Sequence, residues 1–186
     1  MADIPKNAKK VFSGEIFDIY QWEQEMFDGS KKIFEAAKRA STVQVIAITS
    51  EGKLLINEEE QPYVGKFLSV PGGVVDEGED PQDSALRELI EETGYKGEKV
   101  ELWRVEGSGS KLKWDTYYYI IKNCRKVSEK ELDAGEKVNV MEVSLEKFLE
   151  LADDSSFRNR TFSDILFRIK KTPEKWREFL EKLELK

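Results

Sequence analysis

The stretch GVVDEGEDPQDSALRELIEETGY, from Gly73 to Tyr95, decides how this 186-residue chain is read. Its second half carries helix punctuation. Asp80 is a capping side chain, Pro81 falls at the first helical position, and Asp83 sits in the first turn, where the helix dipole favours an acid. Gly94 is the expected stop. The helix predicted over Asp80 to Thr93 has two unlike faces. Ala85, Leu86, Leu89 and Ile90 centre on one side at about 100° per residue, so that side packs on a core. Glu88, Glu91 and Glu92 stand at i, i+3 and i+4 on the other side. Carboxylates so placed repel one another and weaken a helix. Either they form a solvated acidic face, which is common, or something cationic holds them.

The residues around the helix favour the second alternative. Gly72-Gly73 makes a tight turn, Val74 to Glu79 holds three more acids, and Arg87 stands just before Glu88. A glycine turn can bring a backbone carbonyl beside side chains on a helix. Carbonyl and carboxylate oxygens together are the hard ligands that Mg²⁺ takes, with Mn²⁺ as the alternative.

Composition narrows the chemistry further. Lys and Arg number 30 against 37 acids, a formal charge of −7, and the isoelectric point is about 5.0. A bulk nucleic-acid binder shows a basic patch or stripe, and the sequence has none. The negative field repels an anionic substrate unless cations stand between them. There is no histidine, which excludes a histidine base, a histidine triad and histidine-ligated zinc. Cys124 has no partner for an internal disulfide and lies beside a strand-like run, so it reads as a buried, inert thiol. No apolar run reaches the roughly 18–20 residues of a membrane span. Met1 to Lys10 lacks a signal-peptide core. The expectation is a cytoplasmic protein with no membrane or nucleic-acid partner.

Along the chain, Val11 to Phe27 mixes β-formers with polar residues and ends at Asp28-Gly29, a hairpin signal, with Lys31 to Arg39 as the return strand. Residues 1–40 therefore read as a small antiparallel sheet, marginal alone and in need of the main domain or a second subunit. Residues 41–186 form that main domain. Thr42 to Thr49 and Lys53 to Asn57 are strands, Glu58 to Lys66 is a polar connection, and Phe67 to Val70 is a short strand into the glycine turn. Further strands are expected at Val100 to Glu106, Trp114 to Lys122 and Lys137 to Val143. Ser144 caps the next helix, and two more follow at Thr161 to Lys171 and Thr172 to Leu185. The last carries Trp176, Phe179, Leu180 and Leu183 as one apolar stripe. Strands and helices mixed without βαβ alternation give an α/β class with a mixed sheet and helices on both faces.

Gly73, Glu79 and Arg87-Glu88-Leu89-Ile90-Glu91-Glu92-Thr93-Gly94-Tyr95, at these spacings, resemble the signature box of the Nudix hydrolases, with every fixed position filled. The resemblance implies an α/β/α sandwich with a mixed sheet, carrying the small N-terminal antiparallel sheet and C-terminal helices as additions. It also implies hydrolysis of a diphosphate bond. Glu88, Glu91, Glu92 and the Gly72 carbonyl would ligate Mg²⁺, and Arg87 with Glu79 would hold the loop against the helix. The N-terminal layout resembles the ADP-ribose pyrophosphatase branch, implying a homodimer and a nucleoside diphosphate substrate, ADP-ribose first, cleaved to AMP and ribose 5-phosphate. In such enzymes the general base comes from an acidic loop, here Glu129 to Glu136, with Glu136 first and Glu131 or Asp133 next.

Two departures bear on the substrate. The branch usually has arginines before the box, where this chain has Asn57-Glu58-Glu59-Glu60-Gln61, and Glu-x-Pro-Ala-Gly where it has Ser69-Val70-Pro71-Gly72-Gly73. Arg39, Lys66 and Arg104 remain as candidate anion contacts, and Trp22, Tyr63 and Trp114 as candidate base platforms. The competing readings are a nucleoside triphosphate pyrophosphatase and a non-catalytic nucleotide-binding regulator on the same scaffold.

Overall fold

The computed structural model describes residues 3–109, 111–132 and 137–185. In chain order the elements are β1 (Lys9–Ser13), β2 (Asp18–Glu25), β3 (Lys31–Lys38), β4 (Thr42–Thr49), β5 (Leu54–Gln61), β6 (Gly65–Ser69), α1 (Pro81–Thr93), β7 (Tyr95–Lys96), β8 (Lys99–Gly107), β9 (Leu112–Lys113), β10 (Asp115–Lys126), β11 (Lys137–Val143), α2 (Leu145–Glu150), α3 (Arg160–Lys170) and α4 (Pro173–Leu183).

Two sheets result. The N-terminal one runs β1-β2-β3-β9. The Asp28-Gly29 hairpin joins β2 to β3, with Asp28 Oδ1 accepting from Ser30 N at 3.0 Å and Gly29 at φ 79°. The first run of β-formers divides into two strands, because the chain reverses at Gly14, whose N donates to the Phe17 carbonyl. The last strand of this sheet comes from the β8–β10 connection and pairs parallel with β3.

The main sheet runs β11-β5-β4-β10-β7, with β6 on β5 and β8 on β10. It is mixed, since β4 and β10 pair parallel while β5, β6, β8 and β11 pair antiparallel. Period-two alternation along β4 and β10 sorts two cores. Val43, Val45, Ala47, Tyr119 and Ile121 pack with Ala85 and Leu89 of α1. Ile46, Ile48, Tyr118 and Ile120 face the C-terminal helices, with Phe148, Phe162, Phe179 and Leu183. Burying each such large side chain is worth about 1.5–3 kcal/mol, so the sheet is clamped between helical layers as the mixed pattern implied. The stripe on α4 is core: Phe179 and Leu183 are 2% and 1% exposed.

One element runs longer than its composition indicated. Glu58 to Gln61 continues β5 instead of forming a connection. The segment is paired on both sides, with β6 and β11, so its ladders override weak strand propensity. Its alternate residues also find partners. Glu59 turns inward and accepts from Ser69 Oγ, while Glu60 faces out towards Lys137 at 3.8 Å.

Candidate active site

The α1 helix begins and ends as its punctuation dictates. Asp80 accepts from Gln82 N, and Gly94 closes the helix in the left-handed region at φ 73°. The glycine turn before it is stitched to β4, with Val45 N donating to the Pro71 carbonyl at 2.8 Å and Val43 N to the Gly73 carbonyl at 2.9 Å. Between them, Gly72 N donates to Glu92 Oε2 at 2.9 Å. Only glycine fits at position 72, and at 73 any other residue would push a carboxylate aside. A Cβ on Gly72 would strike the Val43 carbonyl, and one on Gly73 would strike the Glu88 carboxylate. The missing side chains are what let the loop lie against the acidic face of α1.

Arg87 organises that face. Its Nε and Nη2 make a two-point contact with Glu79 at 3.1 and 2.9 Å, and Nη2 also donates to the Val74 carbonyl. Its Nη1 donates to Glu88 at 2.8 Å and Glu91 at 3.0 Å. The guanidinium thus offsets the repulsion expected of the acids and ties the loop to the helix. Hydrogen bonds from Arg87 and then Ser84 hold the Glu79 carboxyl down at about 2, and the same acids push Arg87 up. Glu92 is 8% exposed, and Asn57 Nδ2 of β5 donates to its Oε2 at 3.0 Å.

These oxygens fit a hard divalent cation. Among the described residues no three acids, histidines or cysteines already converge as a closed metal cage. Mg²⁺ does not require one, because it takes one or two carboxylates and completes its shell with water and substrate phosphate. Glu88, Glu91 and Glu92 lie within one helical turn beside the glycine turn. Among the described residues the Gly72 carbonyl, unlike those of Pro71 and Gly73, is not bonded to β4.

Glu92, Gly72 and Gly73 form one end of a cleft of about 550 Å³. Arg39, Trp114 and Gln44 line it from the segments entering and forming β4 and β10, and Glu59, Phe67 and Arg158 from the β5–β6 side. The Arg39 guanidinium lies 5.6 Å from the Trp114 ring. Among the described residues, two buried atoms here, Arg39 Nε and Gln44 Oε1, find no hydrogen-bond partner, nor does Asn57 Oδ1 beside Glu92. Each such atom costs about 1–3 kcal/mol.

Other candidates lie elsewhere. Trp22 is on β2, donating to Gln24 and packed on Phe34 at 6.1 Å, and it does not line the cleft of its own chain. Lys66 is exposed on β6 beside Glu58 and Lys137. Tyr63 is 99% exposed at the β5–β6 turn. Arg104 pairs with Glu106 on β8. Glu131 is brought to α1, its N donating to the Glu91 carbonyl at 2.9 Å, whereas Asp133 and Glu136 lie outside the described residues. Cys124 is 1% exposed, and burial pushes its thiol up to about 12.

Sequence reading missed Asn57, Glu59 and Arg158. The first two are hidden because the polar run after Asn57 reads as a connection, and the alternation of 57, 59 and 61 appears only once β5 continues to Gln61. For Arg158 the local signal was the pair of arginines flanking Asn159, which caps α3 by accepting from Phe162 N.

Comparison with known proteins gives the family and agrees with the fold. A model of the NUDIX domain matches residues 38–164. The chain is 32% identical to the ADP-ribose pyrophosphatase of Bacillus subtilis, over 78% of this chain and 80% of that one. It is also 32% identical to a methanol dehydrogenase activator of Bacillus methanolicus, over 77% and 79% of the two chains. In fold it is similar to a crystal structure of an ADP compounds hydrolase, with a TM-score of 0.75 over 95% of this chain and 93% of that one at 19% identity. The chain belongs to the Nudix family and is a Nudix hydrolase. No helix among its described residues is long and apolar enough to cross a membrane.

Proposed function

We propose that this protein hydrolyses the diphosphate bond of a nucleoside diphosphate derivative, with ADP-ribose giving AMP and ribose 5-phosphate. One observation carries the reading: a single cleft joins the acid-bearing glycine turn and helix to Arg39, Trp114 and Arg158. The first end suits a cation-bridged diphosphate, and the second offers positive charge and an aromatic face for the remainder of a nucleotide. The orphaned polar atoms of Arg39 and Gln44 are groups a ligand would satisfy. The similarity to the Bacillus subtilis pyrophosphatase favours ADP-ribose over a nucleoside triphosphate.

Glu88, Glu91, Glu92 and the Gly72 carbonyl would hold Mg²⁺ or Mn²⁺, which supplies polarisation of the diphosphate and activation of water. Arg87, itself held by Glu79, fixes the direction of Glu88 and Glu91, and Asn57 with Gly72 N fixes Glu92, as partners behind metal ligands do. Glu131, anchored at Glu91, stands at the start of the acidic loop that carries the candidate bases Asp133 and Glu136.

The reading extends to a homodimer. β1 is exposed along its whole length at the edge of the N-terminal sheet, and Val11, Phe12 and Ile33 are each more than half exposed. Light scattering coupled to gel filtration should give twice the 21.5 kDa chain mass, and a monomer at micromolar concentration would refute it.

Product analysis tests the reaction. With Mg²⁺ and ADP-ribose, the expected products are AMP and ribose 5-phosphate. Preferential release of pyrophosphate from a nucleoside triphosphate would instead support the sanitising pyrophosphatase. No turnover on any member of a nucleotide panel would support the regulator.

A further inference from the structure

We infer that Arg158, delivered by the segment between α2 and α3, is a substrate-holding residue that takes the place of cations absent from β5. This rests on the proposed function, since it concerns the anion that occupies the same cleft. The second half of β5, Asn57 to Gln61, which borders the cleft, contains three acids and no arginine. An anionic substrate entering a cleft that includes Glu59 and Glu92 needs compensating positive charge from another part of the chain.

The structure builds Arg158 into that place. Residues 156–158 lie along β6: Leu68 N donates to the Ser156 carbonyl and Arg158 N to the Leu68 carbonyl, both at 2.9 Å, with Phe157 bridged parallel to Leu68. Phe157 is fully buried, so the segment is anchored in the core on one side. The Arg158 side chain then turns across the hairpin. Its guanidinium lies 4.8 Å from the Phe67 ring centre, and Nη1 donates to Gln61 Oε1 at 3.1 Å. A guanidinium carries five N–H donors, and this is the one hydrogen bond its side chain makes among the described residues. The plane is therefore oriented by a ring and an amide, and among the described residues most of its donors remain for a ligand. This fork suits two phosphate oxygens better than an ammonium does.

Its neighbours are less suited. Arg160 uses both terminal nitrogens on the carbonyls of Asp154 and Ser155 in its own loop. Arg39 stands at the Trp114 side, which places these two guanidiniums on different edges of the cleft, one from the chain entering β4 and one from the segment that runs along β6. The geometry suits a ligand with separated contact points, as a diphosphate joining two nucleoside-like halves provides.

The test compares Arg158→Ala, Arg158→Lys and Arg177→Ala, the last on the exposed face of helix α4 as a control for loss of surface charge. ADP-ribose turnover is measured with Mg²⁺ at two ionic strengths, and ADP-ribose binding by titration calorimetry without turnover. Arg158→Ala should raise KM about 10- to 100-fold, the range for a lost charge-assisted contact. It should also weaken binding in parallel and flatten the salt dependence, with Arg158→Lys intermediate and Arg177→Ala close to wild type. Arg158 is exposed, so the alanine variant should fold, and equal melting temperatures check this. KM and binding within twofold of wild type would overturn the assignment while leaving the hydrolase reading standing. Binding lost in Arg158→Ala, with no turnover by wild type, would sustain Arg158 as the anion contact and overturn the hydrolase reading.

Discussion

The two ends of the cleft are built in opposite ways. The glycine turn and α1 form a local device: Gly72, Gly73, Glu79, Arg87, Glu88, Glu91 and Glu92 fall within one short stretch, and their contacts stay largely inside it. The other end is assembled from segments far apart in sequence, with Arg39 before β4, Glu59 on β5, Trp114 before β10 and Arg158 before α3. Local spacing specifies the first end. The second exists only once the sheet has formed. This predicts that damage to the first abolishes chemistry, whereas damage to the second changes which substrate is held and how tightly.

The largest effect should come from the acid face. Removing a ligand charge forfeits several kcal/mol of transition-state stabilisation, so Glu92→Gln should lower kcat about 1,000-fold or more in the presence of Mg²⁺, with the fold intact by circular dichroism. A variant that retained kcat within tenfold would break the comparison. Gly73→Ala should approach the same loss, because the added Cβ displaces the Glu88 carboxylate. Next comes Arg87. Partners that orient metal ligands typically contribute 10- to 100-fold, so Arg87→Gln should weaken Mg²⁺ activation by about that factor, read from the metal dependence of the rate.

The second end should give a smaller and different signature. Trp114→Ala removes an aromatic face, and stacking a base is worth roughly 1–3 kcal/mol. KM should rise about 5- to 100-fold with kcat little changed. A fall in kcat at constant KM would show Trp114 to serve the chemistry instead. The smallest effect is one of pH. The Glu79 carboxyl is held at about 2 against an ordinary 4.5, so it binds its proton more weakly when folded. Its contribution to stability is complete above pH 4.5 and is lost as pH falls towards 2. Urea midpoints measured across that window should therefore fall less steeply in Arg87→Gln than in wild type. Cys124 should resist alkylation at neutral pH in the folded protein and react after denaturation.

Legibility in the sequence followed the same division. The α1 helix, its caps and the acids Glu88 and Glu91 away from the core were readable because helix periodicity and capping are local, whereas Glu92 proves buried on the side of Ala85 and Leu89. Strand β4 was readable from the β-formers of TVQVIAIT, and helices on both faces of a mixed sheet from the order of elements along the chain. What was hidden depended on pairing between distant strands. Glu58 to Gln61 looks like a polar loop until β6 and β11 flank it, and only then do Asn57, Glu59 and Gln61 point towards the cleft. Arg158 appears as one surface charge among many until the bridge between Leu68 and Phe157 carries it to β5. Lys66 shows the converse: its place in the chain suggested the anion site, but an exposed position on β6 beside Glu58 and Lys137 keeps it out of the cleft.

The most direct test of the link between the acid face and diphosphate cleavage is chromatography of ADP-ribose after incubation with Mg²⁺ and either wild type or the Glu91→Gln, Glu92→Gln double variant. The expected result is conversion to AMP and ribose 5-phosphate by wild type and none above background by the variant. Equal rates for the two proteins, or intact ADP-ribose with both, would contradict it.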